Sequence, residues 1–157
     1  MSTPSSQVSP LINNWNRVHQ QTVRLMATAP SEKFDWKTCD SAMTLGELMN
    51  HLYLAEAGLI QAALTGKFST AGGPEAKSTT EDVVAAFEKS HEEQVAQVAS
   101  LTPDQLLEEV MPFGEKYGPM TRKSLLHMMS EHEVHHRGQL YVYLRMLGVE
   151  VPSLYGE

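Results

Sequence analysis

The sequence is short of cysteine, of basic side chains and of long apolar runs, and each shortage excludes a class of protein. Cys39 is the only cysteine among 157 residues, so no internal disulfide can form and a reducing compartment such as the cytoplasm is expected. The 12 Lys and Arg residues are outnumbered by 19 Asp and Glu residues, which gives a formal net charge of −7. Nucleic-acid-binding surfaces usually carry a basic stripe, so no nucleic-acid partner is expected.

Apolar segments of membrane-spanning length are missing as well. A spanning helix needs roughly 20 consecutive apolar residues, and the chain contains no such run, so no membrane partner is expected. The first residues, MSTPSSQVSP, have neither the basic start nor the apolar stretch of a signal peptide. We therefore predict a cytoplasmic protein with one globular domain over residues 1–157, of which 1–8 form a flexible lead.

Periodic apolar residues predict four helices, and no stretch alternates convincingly with the two-residue period of a strand. Thr44 followed by Glu47 is a capping-box pattern that marks the start of the second helix, and Gly66 marks its end. The connections are longer than the roughly 2–8 residues of a tight bundle, which permits crossovers. The sequence thus predicts an all-α fold, a four-helix bundle with long connections. The expected helices lie at about 9–29, 44–66, 79–101 and 121–147.

The last predicted helix contains three histidines within SEHEVHHRGQLYVYLRMLG, residues 130–148. At about 100° per residue, His132 and His136 fall in the sector of the apolar stripe, whereas His135 lies about 100° away. Because His132 and His136 are four residues apart, their rings lie one above the other on one face. This is a spacing with which two imidazoles can hold one metal ion. The stripe consists of Leu125, Met129, Leu140, Tyr143 and Leu147.

His51 supplies a third inward imidazole, because it replaces an apolar residue between Leu48 and Leu52 in the stripe of the second helix. Three neutral imidazoles would leave coordination positions open to water or substrate, as they are in catalytic zinc sites. The alternative for each histidine is a hydrogen-bonded residue of the core. Since three of them converge, we predict a metal site at His51, His132 and His136.

Four further residues have two possible roles each. Glu47 could orient the ring of His51 or serve only in the capping box. Gln139 and Tyr143 could line the pocket or pack without contacting a ligand. His19, near the apolar side of the first helix, could approach the metal or belong to the core.

The remaining polar residues of interest are assigned structural roles. Glu133 and Arg137 stand in the favourable i,i+4 order, for which a surface salt bridge is expected. His91 and His127 are expected to be structural.

The segments TLGELMNHLYLAE and HEVHHRGQLYVYLRMLG resemble the DinB-like family of DNA-damage-inducible bacterial proteins. That family pairs a histidine in its second helix with a His-x-x-x-His-Arg-Gly-Gln motif in its last long helix. The resemblance implies a four-helix bundle, commonly a homodimer, that binds a divalent metal such as zinc or nickel. The implied ligands are His51, His132 and His136, and characterised members include thiol S-transferases using bacillithiol, mycothiol or glutathione, and a maleylpyruvate isomerase.

The resemblance favours a thiol S-transferase of stress response or detoxification. In that reaction the metal holds a small thiol as its thiolate, which attacks an electrophile such as an epoxide or a halide. The alternatives are a metal-dependent hydrolase, in which metal-bound water is the nucleophile, and a non-catalytic protein that binds a metal or a small ligand. The catalytic group would be metal-bound water or a metal-bound thiolate, and the sequence leaves open whether the protein is an enzyme.

Overall fold

The computed structural model describes residues 8–69 and 71–155. Within these ranges the chain forms five α-helices, a short 3₁₀ turn and one two-stranded sheet. The flexible lead predicted for residues 1–8 lies outside the described residues except for Val8, which begins the first helix and is buried. The elements are α1 Val8–Met26, the 3₁₀ turn Ser31–Lys33, α2 Leu45–Thr65, α3 Thr80–Ala99, α4 Pro103–Leu107, β1 Glu109–Val110, β2 Met120–Thr121 and α5 Arg122–Met146.

The four long helices α1, α2, α3 and α5 are the four that the sequence predicts, and the all-α fold is confirmed. Local signals set their ends. The Thr44 hydroxyl accepts from the Glu47 backbone N–H, and the Glu47 carboxylate accepts from the Thr44 N–H, so the predicted capping box forms. Gly66 ends α2 in the left-handed conformation at φ 81°. The Thr121 side chain caps α5 by accepting from the backbone N–H of Ser124.

The connection before α5 is more ordered than the sequence predicts, because it contains α4 and an antiparallel pair of strands. Strands of two residues are too short to show an alternating pattern. The Arg122 guanidinium donates to the Glu108 carboxylate at 2.9 Å and to the carbonyls of Ala63 and Leu64. It thereby ties this connection to the last turn of α2. The strand register pairs Glu109 with Thr121 and Val110 with Met120.

The long helices form a bundle in which α1 and α2 lie on one diagonal, each packed between α3 and α5. Two apolar clusters fill the opposite ends of the bundle. One contains residues near the ends of α1 and α5 and near the starts of α2 and α3, and the other contains the reverse. Helix α1 is therefore parallel to α5 and antiparallel to α2 and α3. No helix in the described ranges is long and apolar enough to cross a membrane. Representative members of the two apolar clusters are Leu25, Leu48, Phe87 and Leu140 at one end of the bundle, and Trp15, Ile60, Val98 and Leu125 at the other.

A layer of buried polar side chains separates the two apolar clusters. The expected surface salt bridge of Glu133 and Arg137 is wrong, because these side chains are only 2% and 6% exposed. Arg137 instead donates to the carbonyl of Val18 and to the side chain of Gln21 on α1. The physical reason is that α5 packs against both α1 and α2, so its buried sector is wider than one stripe. The buried polar residues of the layer are His19, Thr22, Glu56, His91, Ser130, Glu133 and Arg137.

Candidate metal centre

The three histidines selected in the sequence lie together between α2 and α5. The Nε2 atom of His51 is 3.1 Å from Nε2 of His132 and 3.0 Å from Nε2 of His136. His51 comes from α2, while His132 and His136 come from successive turns of α5. All three side chains are half-buried, so the cluster is packed against the bundle and still reached by solvent.

The spacing of these nitrogens fits a bound divalent metal. With metal–nitrogen bonds of about 2.0–2.1 Å, two ligand nitrogens lie about 3.0 Å apart at a right angle and about 3.4 Å apart at a tetrahedral angle. The observed 3.0 and 3.1 Å match adjacent positions of one coordination sphere. Hydrogen bonds alone explain these short distances less well, because a single Nε2–H of His51 would have to donate to the Nε2 atoms of His132 and His136 at once. The group is therefore able to hold a metal ion.

The site also keeps its imidazoles in the neutral form that metal binding requires. Burial is the largest influence, and it lowers the pKa of all three rings below the ordinary value. Repulsion from the neighbouring imidazoles acts in the same direction, and together they lower the pKa of His132 to about 4. At neutral pH each ring therefore offers a lone pair instead of a positive charge.

Gln139 orients one of the three rings. The Nδ1–H of His136 donates to Oε1 of Gln139 at 2.7 Å, which leaves the lone pair of that ring on Nε2, facing His51. The amide nitrogen of Gln139 lies 3.4 Å from Nε2 of His135 and donates towards it. The structure thus places Gln139 directly beside the cluster, where it selects the tautomer of His136.

We expect Gln139→Ala to weaken metal binding by about 10–100-fold, the usual effect of losing a group that orients a ligand. Competition with a chromophoric chelator measures the affinity. Gln20→Ala is the matched control, because Gln20 is exposed on α1 and its loss should leave the affinity unchanged. Equal affinities of the two variants would contradict the role of Gln139.

The other supporting residues have partners elsewhere. The Glu47 carboxylate accepts from the Thr44 N–H at 2.7 Å, and the Tyr143 hydroxyl donates to the carbonyl of Met43 at 2.9 Å. His19 belongs to a separate cluster in the buried polar layer. In the described part of the chain, then, Gln139 is the one of the four candidates that hydrogen-bonds to the three-histidine cluster.

The sequence interpretation missed the carboxylates of the buried polar layer. Glu56 is 2% exposed, and it is the only charged residue between His51 and Lys67, a signal that could have revealed it. Burial, followed by repulsion from Glu56, raises the pKa of Glu133 to about 8. The layer therefore contains two carboxylates with opposite pKa shifts, because the pKa of Glu56 is lowered whereas that of Glu133 is raised.

Comparisons of sequence and of structure relate this chain to the same family of proteins. The sequence model of the DinB family matches residues 1–157. The uncharacterized protein YjoA of Bacillus subtilis is 27% identical in an alignment of 157 positions that covers 93% of this chain and 95% of YjoA. The crystal structure of that DinB-like protein has a TM-score of 0.77 at 25% identity, covering 92% of this chain and 96% of the other. A mycothiol-dependent maleylpyruvate isomerase shares the fold, with a TM-score of 0.56 at 19% identity over 85% of this chain and 60% of the isomerase chain.

Proposed function

This chain belongs to the DinB family, and from that premise we propose that it is a metal-dependent thiol S-transferase, which conjugates a low-molecular-weight thiol to electrophiles. The observation that carries the proposal is the convergence of three imidazoles on a half-buried face, where the Nε2 atoms of His136 and His132 lie 3.0 and 3.1 Å from Nε2 of His51. His51, His132 and His136 would hold the metal, for which zinc and nickel both suit imidazole ligands.

The chemistry follows from the neutral ligands. A divalent cation held by three uncharged imidazoles keeps its full charge and, when bound, favours the thiolate form of a small thiol. In the reaction the thiol loses its proton to solvent, its sulfur forms a bond to an electrophilic carbon, and a halide leaves that carbon with the electrons of the broken bond. Cys39, the single thiol of the chain, is exposed and contacts Ser41; the proposal assigns the reacting thiol to a substrate.

Two further observations support this proposal. A protein with the same fold is a mycothiol-dependent isomerase, and it therefore depends on a small thiol. The tautomer of His136 is set by Gln139, an arrangement that metal-ligating histidines usually show.

Metal-loaded protein is expected to accelerate the conjugation of a thiol to chlorodinitrobenzene above the rate with thiol alone, followed by the absorbance of the product. The thiol panel is bacillithiol, mycothiol, glutathione and cysteine. His51→Ala should return the rate to the background, because it removes one of the three ligands. His127→Ala is the matched control, since His127 is exposed on α5, and it should keep the full rate.

The outcome also separates the alternatives. A background rate with every thiol would contradict the transferase. Ester hydrolysis without a thiol would then favour a metal-dependent hydrolase, and tight metal binding without either reaction would favour a non-catalytic binding protein.

The proposal includes a homodimer, carried by the resemblance, and a cytoplasmic location, expected from the single cysteine. A row of exposed apolar side chains on α5, which a second copy could cover, supports the dimer. The row consists of Val134, Val142 and Met146.

A further inference from the structure

A second group of potential metal ligands lies inside the bundle. His19 of α1, Glu56 of α2 and His91 of α3 are 4%, 2% and 8% exposed. The Nδ1 atoms of both histidines lie 3.5 Å from the same oxygen, Oε2 of Glu56. The two imidazole rings are stacked, with centroids 3.6 Å apart and an angle of 11° between their planes, so both nitrogens face the carboxylate from one side.

When His91 is neutral, this arrangement is unfavourable unless a cation lies beside Glu56. Its Nε2–H donates to Oδ1 of Asn16 at 2.8 Å, so in the neutral ring the lone pair is on Nδ1. That lone pair faces Oε2 of Glu56, which is also an acceptor and already receives the indole N–H of Trp15 at 2.7 Å. Two acceptors that face each other in a buried site repel, whereas a cation between them would bind both.

Unsatisfied polar atoms are concentrated in this layer. Among the described residues, seven buried side-chain nitrogen and oxygen atoms make no hydrogen bond to protein, and six of them belong to His19, Glu56, His91 and Glu133. Buried polar atoms are paired in most proteins. Two of the six, Nδ1 of His19 and Nδ1 of His91, face Oε2 of Glu56, and a cation bound there would satisfy both. The only guanidinium of the layer, that of Arg137, is engaged by Val18 and Gln21 on α1.

We propose that His19, Glu56 and His91 form a second divalent-metal site, separate from the three-histidine cluster and enclosed by α1, α2 and α3. A donor set of two imidazoles and one carboxylate suits zinc or iron. The 3.5 Å separations are close to the roughly 3.4 Å expected for ligands at a tetrahedral angle. The rings are stacked with an angle of 11° between their planes, so they would have to tilt for both Nδ1 atoms to bind one ion.

This site would stand close to the first one in the fold. Glu56 follows His51 by five residues on α2, which corresponds to a rise of about 7.5 Å along the helix. The enclosed position leaves no face for a substrate, so the ion is expected to link three helices and to neutralise a buried carboxylate. Its presence does not depend on the thiol reaction.

Counting bound metal tests the proposal. Protein stripped with a chelator is reloaded with Co²⁺, desalted and measured by elemental analysis, and the visible spectrum distinguishes a site of three nitrogens from one of nitrogen and oxygen ligands. We expect two equivalents in the wild type, one in His51→Ala and one in His91→Gln, with different spectra for the two variants. Glu92→Gln, at an exposed position of α3, should keep both equivalents.

Each result decides the question. One equivalent in the wild type and none in His51→Ala would overturn the second site and would mean that a proton on a histidine balances Glu56. One equivalent that survives His51→Ala and is lost in His91→Gln would support the second site and contradict the first. If His91→Gln does not fold, the counts for wild type and His51→Ala decide between two sites and one.

Discussion

The variants His51→Ala, His132→Ala and His136→Ala are each expected to lose one equivalent of divalent metal that wild-type protein retains after desalting. The Nε2 atoms of His132 and His136 lie 3.1 and 3.0 Å from Nε2 of His51, and a chelate of three imidazoles loses most of its affinity when one ligand is removed. Elemental analysis of the purified proteins measures the loss. This is the largest expected effect on the candidate site.

His135→Ala is the matched control for that experiment. His135 lies on the same turn of α5 but is exposed. Its ring packs edge-on against that of His136, but its Nε2 lies 3.4 Å from the amide nitrogen of Gln139 and is not one of the three converging nitrogens. The variant should therefore retain the metal. Equal metal contents in all four variants would exclude the three-histidine site.

Glu56→Ala is expected to lower the free energy of unfolding by about 3–5 kcal/mol, the usual cost of removing one partner of a buried charged group. The carboxylate is 2% exposed and accepts the Trp15 indole N–H at 2.7 Å, so its loss leaves a buried donor without a partner and opens a cavity. Urea denaturation in the presence of a chelator measures the change without a contribution from metal binding.

Glu92→Ala provides the control, because Glu92 is exposed on α3 and surface substitutions usually change stability by less than about 0.5 kcal/mol. If the two variants were equally stable, Glu56 would not contribute to the fold in the way its burial indicates.

The contribution of Glu56 should also depend on pH. Burial raises its pKa, but in the metal-free protein hydrogen bonds from His19 and His91 and the attraction of their protonated forms outweigh burial, and the net result is a pKa below the ordinary 4.5. The ionised carboxylate therefore contributes stability above about pH 4.5, which is lost as the pH falls through the lowered pKa of the folded state. We expect the difference in stability between wild type and Glu56→Gln to shrink on acidification, as measured by urea denaturation across that range.

The helix boundaries were predictable because their signals are local. Thr44 and Glu47 form a reciprocal pair of hydrogen bonds within one turn, and Gly66 adopts the left-handed conformation that favours glycine. Neither feature needs a distant part of the chain. The same reasoning could not foresee β1 and β2, because strands of two residues depend on their partner for their existence.

The neighbourhood of His51, His132 and His136 was also predictable, although 81 and 85 positions separate them in the chain. Each replaces an apolar residue on the inward face of a helix, and two inward faces of one bundle meet. The position of Glu133 was not predictable in this way, because it lies one residue from His132 and therefore about 100° around the helix. Only the packing of α1 against that second side of α5 buries it.

The sequence alone therefore determined the four long helices, their main caps and the shared face of three histidines, because each depends on periodicity or on contacts within a turn. Tertiary structure decided which helices are neighbours, and with them the burial of Glu56, Glu133 and Arg137. It also brought His19 and His91 to the same carboxylate oxygen. The physical reason is that a helical period specifies how side chains are distributed around one axis, whereas burial of a polar group depends on what packs against each side of it.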